Sequence, residues 1–203
     1  MPGLRKIEGY TAEVINICPQ DTEGEVVEIS ELYIQLPKVP AKKDILFHDK
    51  KKEDQMWRRI DVPSELLRVR SMDEWAEKPK EFRQKHSKYI EIEFQRRRNG
   101  VWFMNNGIPT YITGRQYMLL QWSKMDIGYP SYLKFQGNLF IHFAACEYDP
   151  RSLGQVFTKC RRSGYTNISA SILELNYTNV RSKWPNFDSA YGRNIIQMFE
   201  RVG

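Results

Sequence analysis

Asn106-Gly107, within VWFMNNGIPTYITGRQYMLLQW, restricts the fold of this chain more than any other feature. Asn and Gly tolerate positive φ, and the two-residue turn that matches the right-handed twist of paired strands requires it. The flanking stretches therefore predict a hairpin, with a strand over Val101–Met104 and its return over Thr110–Ile112. Thr113 follows at once and is placed to cap a helix running to about Lys124.

Upstream, residues 12–18 and 25–36 alternate polar and apolar residues rich in Val and Ile and read as two strands. Pro37 and Pro40 break the chain, and the charge-dense residues 41–55 read as a solvated connection. Ser71 with Glu74 forms a capping-box pattern for a helix from about Met72, which Pro79 disturbs and which resumes over EFRQKHSKYIEIEFQRRR until Asn99-Gly100. Within 132–148, Leu139, Phe140, Phe143 and Ala144 recur at helical spacing, and Asp149-Pro150 ends that element. Beyond it the texture changes: GQVFTK as a short strand, CRRSGYT as a polar loop, NISASILELNYT as a helix, a weak strand near 178–181 and a helix from about Asp188. The fold class is thus α/β, with an N-terminal mixed α+β region over 1–100 followed over 101–203 by the start of a parallel sheet.

Composition excludes several classes. Hydrophobic residues are 41% of the 203, enough for a packed core, and no run approaches the roughly 18 apolar residues of a membrane span. The N-terminal stretch MPGLRKIEGYTAEV has no apolar run of a secretion signal. Cys18, Cys146 and Cys160 match no zinc or disulfide spacing, which favours a reduced compartment. His48, His86 and His142 lie far apart and read as surface or core residues. Net charge is +6, compatible with nucleic acid, although the QRRRNG run at 95–100 suits a solvated helix end.

The loop over 159–166 invites two readings. Gly164 and Thr166 stand as in a phosphate-binding loop, but Tyr165 occupies the usual lysine position and Lys159 that of the first glycine. As a phosphate site, Gly164 would let backbone N–H groups approach, Thr166 would meet a bound magnesium, Lys159 would reach across, and Arg161 and Arg162 would add positive field. As an ordinary turn, it is one more exposed basic loop.

Lys159-Cys160-Arg161-Arg162-Ser163-Gly164-Tyr165-Thr166 resembles the displaced-lysine Walker A loop of the large terminase subunits of tailed double-stranded DNA phages, which in one branch reads K-x-x-R-x-G-[YF]-[ST]. NGIPTYITGRQYMLLQW, GYPSYLKFQGNLF and DPRSLGQVFTKCRR follow in that family's order, and QMWRR and RRRNGVWFMNNG fit its N-terminal region, over roughly residues 45–175. Within it, the crAss-like phages look nearest. The resemblance implies a P-loop NTPase sheet and an ATP-driven motor that translocates DNA into capsids. It implies ATP and Mg2+ as ligands, with Lys159, Ser163, Gly164, Tyr165 and Thr166 around the nucleotide, Thr166 on the metal, and Lys159 and Arg162 as the catalytic cations. Gln116 would read adenine, with Tyr117 or Tyr111 stacking on the base; the plain alternative for Gln116 is a polar residue on an exposed helix face. Expected partners are double-stranded DNA, a portal protein, a small terminase subunit and other copies of the full-length protein, in the host cytoplasm and away from membranes.

No apolar strand ending in Asp-Glu follows Thr166, and YIEIEF at 89–94 precedes the loop and alternates, so it does not supply one. No acidic nuclease cluster is present either. The sequence therefore reads as the N-terminal part of a longer protein, cut before Walker B, with very low ATP turnover of its own. The competing expectation is a non-catalytic, phage-derived nucleic-acid-binding or assembly module.

Overall fold

The computed structural model describes residues 3–10, 12–18, 24–69, 72–123, 128–153 and the single residue Ile168. The chain divides into two compact units, Met1–Gly154 and Gln155–Gly203. Residue 100, the boundary expected from sequence, lies inside the first unit. Apart from Ile168, the expected strand, loop and helices beyond 154, including Lys159, Arg162, Ser163, Gly164, Tyr165 and Thr166, lie outside the described residues, as do the Ser71 cap and Lys124.

The first unit mixes α and β elements and carries a mixed sheet. Strands β1 (Gly3–Arg5), β2 (Val14–Asn16), β3 (Val26–Ile29) and β4 (Leu32–Gln35) form it in the order β1-β2-β4-β3. The β1–β2 and β3–β4 pairs are antiparallel, while β2 and β4 run parallel with Ile15 opposite Ile34.

Residues 25–36, expected as one strand, are two strands of a hairpin. Ser30 and Glu31 take φ of 50° and 66° at its turn. Left-handed backbone at a non-glycine residue costs roughly 1–2 kcal/mol. Neither residue type favours such a turn; the mark the sequence does carry is the change of phase there, where Ser30 and Glu31 stand side by side between Ile29 and Leu32.

Helix α1 (Met72–Glu77) and the long helix α2 (Lys80–Asn99) follow, separated at Pro79 as the sequence predicts, and Gly100 at φ 72° stops α2. Strands β5 (Val101–Asn105) and β6 (Ile108–Ile112) form the expected hairpin, with Asn106 and Gly107 at φ 49° and 85°. Helices α3 (Gly114–Gln121) and α4 (Lys134–Tyr148) complete the described part.

Two cores hold these elements. In the first, Ile15, Ile17, Ile34 and Leu36 of the sheet pack with Tyr111, Ile141, Ala144 and Ala145. The buried face of α4 is Gln136, Gly137, Phe140, Ile141, Ala144 and Ala145, so the expected stripe is rotated: Leu139 and Phe143 are only half-buried. In the second core, Trp57 meets Phe47, Phe103 and Tyr117 edge-on at centroid distances of 6.0, 5.5 and 5.9 Å, with Ile112 and Leu120 alongside. Edge-to-face pairs of this kind add about 0.5–1.5 kcal/mol beyond the area they bury.

The segment 41–55 is more than a solvated connection. Its charges face water, but Ile45 is buried and Leu46 bridges in parallel to Phe103, exchanging backbone bonds with Trp102 and Met104. Gln55 grips the β5–β6 turn: its carbonyl accepts from Asn106 N at 2.7 Å and its Oε1 from Gly107 N at 2.9 Å. Charge density concealed these contacts, because apolar and amide groups are few among the lysines and acids.

Candidate functional site

The hairpin delivers the chain to Thr113, whose hydroxyl accepts from the backbone N–H of Gln116 at 3.3 Å and starts α3. At the same point α3 runs against the end of α2. A Cβ on Gly114 would stand 1.8 Å from the Arg97 carbonyl oxygen, so only glycine fits this approach. Gln116, Tyr117 and Gln121 of α3 are all fully buried.

Three side chains of that short helix meet different fates. Gln121 is satisfied: its Nε2 donates to Ile60 O and its Oε1 accepts from Ile60 N, each at 2.8 Å. Its amide thus pairs with residue 60 as a neighbouring strand would. Arg59 donates to the Gln121 carbonyl at 3.0 Å and lies 3.5 Å over the Tyr129 ring. Tyr117 donates its hydroxyl to Glu93 Oε2 at 2.6 Å. Burial, with Glu93 adding to it, pushes that phenol far above its ordinary value. Gln116 is the exception, since neither Nε2 nor Oε1 has a hydrogen-bond partner.

The Gln116 amide points at the first turns of α4. A Cβ on Gly137 would lie 3.5 Å from Gln116 Oε1 and 3.2 Å from the Tyr132 hydroxyl, so the missing side chain keeps space between the two. Both amide atoms lie beneath the accessible surface. What the amide offers is one donor and one acceptor side by side, which suits a planar edge presenting the complementary pair.

Of the residues that the resemblance assigns to the nucleotide site, the structure describes three. Gln116 is not on an exposed helix face, because the helix is enclosed nearly all round. Tyr117 lies in the aromatic core against Trp57, with its hydroxyl engaged, so a base stacking on it would have to displace Trp57. Tyr111 is also buried, tilted against Trp102 and donating its hydroxyl to the Asn99 carbonyl at 2.8 Å. The phosphate end of the expected site, Lys159, Arg162, Ser163, Gly164, Tyr165 and Thr166, lies outside the described residues. Only the base end is therefore described, and there the Gln116 amide is buried without a partner while both tyrosines are engaged in the core.

Sequence reasoning passed over Glu93. In a helix, Glu93 falls on the same side as His86 and Tyr89, and it is buried. Besides Tyr117 it accepts from Trp122 Nε1 at 2.5 Å and Arg97 Nε at 3.0 Å, with Arg96 at 4.0 Å. One carboxylate thus ties α2 to both turns of α3. The sequence places Glu93 in this helix but weighs the acids of YIEIEF only against a Walker B strand, and α3 as a partner for the carboxylate is not visible from α2 alone.

The histidines stay apart. His48 donates Nδ1–H to the Ile45 carbonyl, His86 meets Glu65 at 2.8 Å, and His142 lies 3.9 Å from Cys146 Sγ. Lys85 and then His86 hold the Glu65 carboxyl below its ordinary value. Among the described residues no three His, Cys, Asp or Glu gather as metal ligands, and no helix is long and apolar enough to cross a membrane. Compared with protein-family models, curated proteins and solved structures, the chain matches none.

Proposed function

We propose that this chain is the nucleotide-binding, N-terminal ATPase portion of a viral genome-packaging terminase large subunit, taking ATP and Mg2+ to drive translocation of double-stranded DNA. The observation that carries the reading is the Gln116 amide, fully buried with neither atom partnered. A buried amide left unpaired costs roughly 1–3 kcal/mol, a cost that pairing with a ligand removes. Adenine presents the matching pair at N6 and N7. In sequence order Gln116 precedes the loop Lys159-Cys160-Arg161-Arg162-Ser163-Gly164-Tyr165-Thr166, whose residue types suit a phosphate site. In this reading Lys159 and Arg162 face the β and γ phosphates and Thr166 supplies the hydroxyl for the magnesium ion. Magnesium bound there would neutralise charge developing on the phosphate oxygens.

Thermal unfolding with and without nucleotide tests it. Ligand at about 100 times its Kd stabilises a fold by about 2.7 kcal/mol, so Mg-ATP is expected to raise the Tm and Lys159→Ala to abolish the rise. Gln116→Met is expected to bring the ATP shift down to the GTP shift. An ATP shift of the same size in Lys159→Ala overturns the proposal.

A further inference from the structure

Helix α2 holds seven Lys and Arg against three Glu, a net +4 in a chain whose formal charge is +6. Some of this charge is used internally: Arg96 and Arg97 lean on Glu93, and Lys85 bonds Glu65 at 2.9 Å. Lys80, Arg83, Lys88 and Arg98 are exposed, and none has an acidic partner among the described residues. Lys80, Gln84, Ser87, Glu91, Gln95 and Arg98 follow three- and four-residue spacing and form one outward stripe, with Arg83 and Lys88 on its flanks. At 1.5 Å per residue the stripe is about 27 Å long. The inward side holds the buried His86 and Glu93.

A merely solvated helix is commonly laced with acid–base pairs four residues apart. This stripe is not: Glu91 is its one acid and pairs with none of the neighbouring cations. Cations interleaved with Gln and Ser are the side chains that bond phosphate oxygens without reading sequence. Aromatic platforms, on which single strands stack, are absent from the stripe, and Phe94 stands at its edge.

We propose that the outward face of α2 is a docking surface for duplex nucleic acid, gripped through its backbone phosphates and blind to base sequence. None of these residues belongs to the nucleotide site, so the surface stands or falls independently of it.

The test is fluorescence anisotropy of the full chain with a labelled random-sequence DNA duplex of about 20 base pairs, between about 50 and 200 mM salt. Combined Lys80→Gln, Lys88→Gln and Arg98→Gln is expected to weaken binding and to flatten the slope of log K against log salt by about 0.9 per lost contact. Glu91→Gln is expected to tighten binding. Lys42→Gln with Lys43→Gln, exposed at another place on the unit, is expected to leave it unchanged, and matched far-ultraviolet melting curves check that all variants fold. The proposal is overturned by no duplex binding at the lowest salt, by an unaltered slope in the triple variant, or by an equal loss in the Lys42 and Lys43 control. Tighter binding of the single strand, or equal binding of poly-glutamate, overturns it too.

Discussion

Replacing Glu93 by Gln changes no volume and removes one charge, and the structure sets what that costs. Three donors bond this buried carboxylate directly: the Tyr117 hydroxyl at 2.6 Å on Oε2, with Trp122 Nε1 at 2.5 Å and Arg97 Nε at 3.0 Å on Oε1. Trp122 and Arg97 can only donate, so the new amide must turn its oxygen to them and its NH2 to Tyr117, whose hydroxyl can accept. All three bonds survive in kind, but those of Tyr117 and Trp122 fall from the charge-assisted class, roughly 1.5–3 kcal/mol, to the neutral class, roughly 0.5–1.5 kcal/mol, while Arg97 keeps its own charge and loses its ionic partner. A loss of about 1 kcal/mol for each of the two neutral bonds and about 1 kcal/mol for the part-buried ion pair gives about 3 kcal/mol in all. For a chain of this size that is a Tm lower by about 6–12 °C. Glu93→Leu should cost more, about 3–5 kcal/mol, because the donors then face a methyl group. Urea unfolding followed by far-ultraviolet circular dichroism measures both variants, and Tyr117→Phe closes a double-mutant cycle with Glu93→Gln whose coupling should exceed about 0.5 kcal/mol. Glu93→Gln within about 0.5 kcal/mol of the parent, or Glu93→Leu as stable as the parent, would refute the argument that this carboxylate locks α2 to α3.

Two further outcomes follow from buried polar groups. Burial raises the phenols of Tyr111 and Tyr117 well above their ordinary value of 10.0. Above about pH 10 the unfolded chain therefore binds fewer protons than the native one, and stability falls as pH rises; absorbance titration should find both phenols silent until the chain unfolds, and their smooth titration in the folded state would contradict this. Gln116→Met should leave stability unchanged or raise it, whereas Gln121→Met should lower it by about 1–3 kcal/mol by stranding the backbone groups of Ile60; equal losses in the two, by the same denaturant assay, would refute the contrast.

Local chemistry made some of this fold legible. Asn106-Gly107 fixed a hairpin because few residue pairs tolerate its turn, Thr113 fixed a helix start because its hydroxyl caps the N–H of Gln116, and Pro79 separated α1 from α2. The β3–β4 hairpin was hidden, since Ser30 and Glu31 take a turn conformation that their side chains do not favour. Ile45, Leu46 and Gln55 were hidden by their charged neighbours. The rotation of α4 escaped because Gly137 and Ala145 lie on its buried face as small residues, which let the helix approach closely but add little to an apolar stripe, and Gln136 there is polar.

Helix α3 shows why the base end of the candidate site could be placed in sequence but not characterised. Every residue from Gln116 to Gln121 is buried, so the helix has no wet face and no period for polar residues to follow. Gln116 and Gln121 then look alike in sequence: same residue, same helix, both without solvent. Their surroundings separate them. Residue 60, far away in the chain, presents its N–H and carbonyl to Gln121 and satisfies both amide atoms. Among the described residues nothing presents either group to Gln116, and Gly137 facing it withholds even a methyl group. A purely structural amide at position 116 would be better replaced by Leu or Met, which fill a similar volume without the cost of roughly 1–3 kcal/mol for an unpaired buried polar group. The same helix shows at Gln121 that this fold can satisfy a buried glutamine. Under the proposed function the amide five residues earlier would find its partner in a nucleobase edge, and the contrast between Gln116→Met and Gln121→Met, with and without ATP, tests that assignment.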